Sequence, residues 1–255
     1  MKNLAHIAEV VDEAARSATA IAQFDGDNAL NLDEAYAVQA MSIARRLDRG
    51  EHRVGVKMGL TSRQKMEQVG VSEVVWGRLT NAMRVEEGGT LDMANYVHPR
   101  VEPEVAYLMK KPLSGDVSPL EALNAVEAIA PALEIIDSRY ENFKFALGDV
   151  IADNSSSSGF VVGNWQAPST DVSNLGIILK FDGRPVQMGS TAAILGNPIR
   201  SLVAAARMVA RWGEKLEPGM IVLAGGATAA SPLAAGVQVC GEFQNIGNVE
   251  FRVAK

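Results

Sequence analysis

Cysteine is almost absent from this chain of 255 residues: Cys240 stands alone, so no internal disulfide can form and a cysteine-ligated zinc centre is excluded. Histidine is nearly as scarce. With only His6, His52 and His98, neither a multi-histidine metal site nor a histidine-based triad is expected. Positive charge is in deficit, 24 Lys and Arg against 30 Asp and Glu, and it is scattered, which argues against nucleic acid as a partner. No stretch reaches the roughly 20 uncharged apolar residues that a bilayer span needs. The opening "MKNLAHIAEVVDEAARSA" brings acidic residues early, unlike a signal peptide, so a cytoplasmic protein with no membrane partner is expected.

What is present reads as one large domain with a small appendage. Leu4, Ile7, Val10, Val11 and Ala14 recur at helical intervals, and "LDEAYAVQAMSIARRLDRG" gives a second amphipathic helix stopping at Gly50. These two helices form an N-terminal cap over 1–53. From Val54 the chain turns to short strands and glycine turns. "VGVKMGL" is a candidate strand, "SRQKMEQVG" a short helix, and "VEEGGTLD" a hairpin turn. "VEPEVAYLM" is a strand. "SPLEALNAVEAIA" is a helix with Ser118 and Glu121 as a capping box and Pro119 at its first position. "PALEIIDS" is the next strand, and "LGIILKFDGRPVQMGS" a hairpin bent at Asp182-Gly183. A helix "PIRSLVAAARMVARWG" closes at Gly213, "MIVLAGGATAA" runs from a buried strand into a glycine loop, and "VQVCGEFQNIGNVEFRV" supplies two more strands. Few β-α-β units appear. The fold class is therefore α+β, with a mixed, mostly antiparallel sheet and helices outside it.

Residues i and i+2 of a strand share a face, so Glu102 and Glu104 stand side by side while Val101, Val105 and Tyr107 fill the opposite one. Two adjacent like charges are costly unless water or a cation lies between them. Alone, such a pair reads as a solvated sheet face. Pro103, which cannot donate to a ladder, places the stretch at a sheet edge or mouth. Glu134 then lies inside the apolar strand "PALEIIDS", where a lone acid needs a partner. Three carboxylates without a thiol or imidazole make a hard-oxygen site suited to Mg²⁺ or Mn²⁺. Lys57 shares its strand face with Gly55 and Gly59; it is either a snorkelling surface lysine or an ammonium aimed at an anion or a proton transfer. The polar loop "DNSSSS", with Asn154 and Ser156, offers amide and hydroxyl donors to a carboxylate. The loop "LAGGATAA", with Thr228, is a plain turn or a set of backbone donors. His98 reads as a structural hydrogen-bonder, and Cys240 as a small core residue.

The segments "GVKMGLTS", "HPRVEPEVA", "APALEIIDSRYENFKF", "VIADNSSSSGF", "AAILGNP" and "IVLAGGATAA" resemble the 2-hydroxypentadienoate hydratase and 4-oxalocrotonate decarboxylase family, within the fumarylacetoacetate hydrolase fold. The resemblance implies a catalytic β-roll over 54–255 behind the N-terminal helical cap. It implies metal ligation by Glu102, Glu104 and Glu134, with Lys57 as the catalytic lysine. Asn154, Ser156, Thr228 and Arg139 are the expected substrate-binding residues, and Tyr140 and Lys144 are further candidates for the distal carboxylate. The form "KMGLTS" and the run after the third acid look like the decarboxylases. Asn81 and Asn197 stand where the family often has Asp and His, which disfavours hydration if that Asp shuttles a proton.

Read this way, the substrate is 2-oxohex-3-enedioate and the products are 2-hydroxypenta-2,4-dienoate and CO₂, with Mg²⁺ (or Mn²⁺) as cofactor. A homo-oligomer and a complex with the pathway hydratase are the implied partners. Three alternatives stand beside it: a hydratase of the dienoate, a non-catalytic partner subunit, and a binding protein for dicarboxylates.

Overall fold

The computed structural model of the protein describes residues 2–62, 66 and 73–255. Two sheets and five α-helices make up the fold of these residues. The N-terminal pair is α1 (Leu4–Ser17) and α2 (Leu32–Asp48). Asn3 caps α1 by accepting from the His6 N–H, and Asn31 with Glu34 forms a full capping box on α2. Asp12, buried on α1, takes Arg49 at the C-terminal cap of α2 and Arg45 within it at 2.7 and 3.0 Å. The pair is tied to the rest of the chain as well as to itself. Gln39 on α2 donates to the carbonyls of Trp76 and Ile151, and Ile7, Val11, Tyr36 and Val38 join the main core.

The larger sheet contains β1 (Arg53–Gly59), β2 (Val75–Thr80), β4 (Arg100–Met109), β5 (Val126–Ile136), β6 (Ser157–Val162), β9 (Ile221–Leu223) and β10 (Ser231–Pro232). Its order is β2-β1-β9-β4-β5-β6, with β10 also on β4; only β1 and β9 pair in parallel. The smaller sheet runs β3 (Thr90–Leu91), β12 (Gly247–Val253), β11 (Gln238–Phe243), β7 (Gly176–Phe181), β8 (Arg184–Ser190). It is antiparallel apart from β3 on β12. The remaining helices are α3 (Pro119–Asn124), α4 (Leu147–Ala152) and α5 (Pro198–Arg211). The expected mixed, mostly antiparallel α+β architecture is the one observed.

Strand alternation sets the layers. Val101, Val105, Leu133 and Ile135 leave one face of β4 and β5 and join Leu179, Val239, Val249 and Phe251 of the second sheet in one core. Gly241 of β11 packs closely there, since a Cβ would sit 3.1 Å from the Leu133 side chain. The other face of β4 and β5 carries the acids and small residues such as Ala106, Ala130 and Ala132.

Three expectations need correction. "VEEGGTLD" turns, but it is not a hairpin: β3 leaves it to pair in parallel with β12. The helix after Ser118 ends at Asn124 rather than near Ala130, because Val126 already begins the buried strand β5. Pro103 does not mark a sheet edge. β4 lies inside the sheet, and its Pro103 falls in the gap between β9 and β10, where no ladder hydrogen bond is required of it. The helix expected in "SRQKMEQVG" lies outside the described residues, Ser62 and Met66 apart. Among the described residues no helix is long and apolar enough to cross a membrane.

Candidate metal and substrate site

Glu102 stands directly opposite Glu134 in the β4–β5 ladder, and Glu104 follows one step along the same face. All three are buried, and each offers a carboxylate oxygen within 4.8 Å of the others. Lys57 reaches the cluster from β1 across the ladder Lys57–Leu223–Ala106–Ala130, with its Nζ 3.0 Å from Glu134 Oε1 and 3.2 Å from Oε2. The structure therefore brings together the four residues that the sequence singled out.

A glycine loop completes the site. Between β9 and β10, residues 224–230 run beside β4 where the acids are. Ala224 and Ala227 donate to the carbonyls of Val105 and Pro103, and the Gly225 N–H donates to Glu104 Oε2 at 2.7 Å. Gly225 has φ +106°, and a Cβ on it would collide with Thr61; a Cβ on Gly226 would lie 2.6 Å from the Glu102 carboxyl. Only glycine permits that approach. The loop does offer a backbone N–H to an anion, and the anion is one of the protein's own carboxylates.

The cluster is short of hydrogen bonds. Glu104 Oε1 is sealed from solvent without a hydrogen-bond partner, and Glu134 Oε1 meets Lys57 only outside hydrogen-bonding geometry. Burial pushes the Glu104 carboxyl well above the usual range, and the charges of Glu134 and Glu102 add to it. Burial also raises Glu134, against the pull of Lys57. Buried acids repelling one another, with oxygens unsatisfied, are the donor set a hard divalent cation stabilises.

Beside the acids opens a cleft of about 810 Å³, lined among others by Lys57, Leu60, Arg100, Glu102, Phe143, Lys144, Ser155, Ser156 and Ala230. Ser156 lines it, as expected, with φ +59° in a run of three left-handed residues from Asn154. Asn154 does not. Its amide and carbonyl pair with the Arg78 backbone at 2.8 Å each, so it holds the loop to β2. Arg139 is likewise buried away from the cleft. Its backbone N–H and Nε donate to Asp153 at 3.0 and 2.5 Å, and the guanidinium also bonds Ser158 and the Asp153 carbonyl. Burial pushes Asp153 up to about 6 even against this pairing.

Thr228 does not line the cleft; its hydroxyl donates to the Ala229 carbonyl. Of the further candidates Lys144 lines the cleft, whereas the Tyr140 hydroxyl donates to the Asp149 carbonyl in the interior. Asn81 accepts from the His52 N–H, Asn197 caps α5, and neither is among the residues that line the cleft. Arg100 and Phe143 were missed. The alternation that groups Glu102 with Glu104 extends one step back to Arg100, and that was the available signal.

The family model described as fumarylacetoacetate hydrolase C-terminal matches residues 50–254. A 4-oxalocrotonate decarboxylase of Pseudomonas sp is 60% identical over 248 residues, covering 97% of each chain. A 2-keto-4-pentenoate hydratase of Paraburkholderia xenovorans is 35% identical over 77% of this chain and 74% of its own. The solved structure of 4-oxalocrotonate decarboxylase from Pseudomonas putida G7, complexed with magnesium and adipate, superimposes with a TM-score of 0.95 at 35% identity, covering 98% and 97% of the two chains.

Proposed function

This chain belongs to the fumarylacetoacetate hydrolase family, and from that premise we propose that it is a metal-dependent decarboxylase of 2-oxohex-3-enedioate in the meta-cleavage degradation of aromatic compounds. The observation that carries the reading is the buried trio of Glu102, Glu104 and Glu134 beside Lys57, with one oxygen each of Glu104 and Glu134 left without a hydrogen bond. Those three carboxylates would hold Mg²⁺ or Mn²⁺. When bound, such an ion supplies a Lewis acid for negative charge developing on the 2-oxo group.

The bookkeeping of the reaction defines what the chain must do. The C5–C6 pair becomes the C4=C5 bond as CO₂ leaves, the C3=C4 pair becomes C2=C3, and the carbonyl pair ends on the C2 oxygen, which takes a proton. Lys57 is the proposed donor at that oxygen: its ammonium is buried and fixed by Glu134, so it need not be reorganised as charge builds up. Ser156 supplies a hydroxyl at the cleft wall to orient a substrate carboxylate. The apolar side chains of the cleft wall, Leu60, Ile136, Phe143 and Val150, lower the dielectric around the dienolate.

The helices over 1–53 act as a cap that braces β2 and α4 through Gln39, with 54–255 as the catalytic β-roll. We place the enzyme in the cytoplasm as a homo-oligomer, working beside the pathway hydratase. Hydratases at 34–35% identity make hydration of 2-hydroxypenta-2,4-dienoate the second reading. Assaying purified enzyme with Mg²⁺ for CO₂ release against formation of 4-hydroxy-2-oxopentanoate separates the two. Hydration without CO₂ release would refute the decarboxylase assignment, and no Mg²⁺-dependent turnover at all would favour a partner subunit or binding protein.

A further inference from the structure

The cleft has a second charged end. Arg100 opens β4 two residues before Glu102, leaves the same face of the strand, and lines the same cleft as Lys57 and Glu102. Its guanidinium carbon lies 3.9 Å from the centroid of the Phe143 ring. Unusual backbone holds that ring in place: Asn142 and Phe143 have successive φ values of +58° and +56°, a region that disfavours any residue with a Cβ. Strain of this kind collects at functional sites. His98 and Phe145 pack against the same ring, with centroids 6.2 and 5.4 Å away. Lys144 follows directly and lines the cleft too. Arg45, Arg46, Arg49, Arg53, Arg78 and Arg139 all carry carboxylate partners. Among the described residues Arg100 and Lys144 carry none, nor do the exposed Arg84, Arg184, Arg200 and Arg252, but Arg100 and Lys144 line the cleft.

We infer that Arg100, seated on Phe143 and assisted by Lys144, anchors the distal carboxylate of the substrate and selects diacids over monoacids; the inference rests on the 2-oxo diacid reading above. Residues on one face of an antiparallel strand recur every ~6.8 Å. Five carbon–carbon bonds of about 1.5 Å in zigzag span about 6 Å, the length of a six-carbon diacid. The strand repeat that separates the Arg100 and Glu102 backbones is thus comparable to the length of the substrate. A guanidinium suits the place because its plane can lie on a ring while its N–H edge still faces a carboxylate. Sharing its charge with the ring weakens the ion pair. That fits a carboxylate whose charge must vanish as CO₂ forms, since a strong ion pair would stabilise the ground state most. A five-carbon dienoate leaves this end unoccupied.

The test is calorimetric binding, with saturating Mg²⁺, of 2-oxoadipate and 2-oxohexanoate, which differ only in the distal carboxylate. Wild type should prefer 2-oxoadipate. Arg100→Met should lose roughly ten- to a hundredfold in affinity for it, the worth of a charge-assisted hydrogen bond, while 2-oxohexanoate changes less than about twofold. Arg100→Lys and Lys144→Met should show smaller losses with the same selectivity, and they carry the test if Arg100→Met melts early. Undiminished preference in the folded variants, or equal loss of both ligands, overturns the anchor while leaving the decarboxylase reading in place. Absence of Mg²⁺-dependent binding of either acid to wild type sinks that reading, and the anchor with it.

Discussion

Two patches of buried charge, one on strands β4 and β5 and one on the loops that follow β5 and α4, are put together in opposite ways. Around Arg139 each charge has its complement: Asp153 takes both the backbone and the side chain, Ser158 and a carbonyl take other donors, and Asp137 accepts from the Val97 and His98 N–H groups. Around Glu104 three carboxylates crowd against Lys57, and buried oxygens go unbonded. Both patches use buried ionisable residues, so burial alone does not distinguish a site from a scaffold. The balance of partners does. A satisfied network fixes the 153–158 loop, whereas an unsatisfied one is complementary to something the chain itself does not supply.

The sharpest way to break this comparison is Glu104→Gln. Metal-dependent CO₂ release should fall at least about a thousandfold, while the melting temperature of metal-free protein holds or rises, because a costly buried acid has been neutralised. A large loss of stability with activity retained would make the acid cluster a scaffold like the other. Next in size, Lys57→Ala should lower kcat by roughly a hundred- to ten-thousandfold with little change in KM, as expected of a group that acts in the transition state. A change confined to KM would reduce Lys57 to a binding residue. Arg139→Met should do the reverse of Glu104→Gln. Stripping Asp153 of its cation should cost about 3–5 kcal/mol of stability, read by denaturant unfolding, with kcat of the folded enzyme changed far less.

The smallest effect is in pH. Glu104 and Glu134 are raised in the folded chain, so the folded state binds protons more readily than the unfolded one. Metal-free stability should accordingly decline as pH rises from the ordinary carboxylate value of 4.5 through the raised folded values. Mg²⁺ should remove that decline, and its affinity should increase with pH by up to about tenfold per unit for each proton displaced. Calorimetry in buffers of different ionisation enthalpy counts those protons. Zero proton release would show that the acids are already ionised and partnered before metal arrives.

Much of this was legible in the chain, and the limits of reading follow from range. Period-two spacing put Glu102 and Glu104 on one face, and an acid amid Leu133 and Ile135 marked Glu134. Capping at Ser118, the Asp182-Gly183 bend with φ +48° and +76°, and the stop at Gly213 with φ +70° are local events, and they appear where expected. Arg139 is expected in the site as a cation for the distal carboxylate, and Asn154 as an amide donor in a polar loop. Their partners, Asp153 with Ser158 and the Arg78 backbone, are chosen by loop geometry that spacing does not encode. Pro103 misled for a related reason: it excludes a ladder bond at one residue, and a central strand can leave that one place open.

The sequence by itself determined the side-chain chemistry: hard oxygen donors, a lysine between glycines on a strand and no sulfur or imidazole set, on strands whose alternation separates an apolar face from an acidic one. Only the tertiary structure decided which charges are satisfied and which are left wanting. Register across β4 and β5, the crossing glycine loop and the Phe143 ring beneath Arg100 arise from contacts between residues far apart in the chain. Whether a buried charge is scaffold or site depends on such contacts, because electrostatic balance in a dry interior is set by neighbours in space.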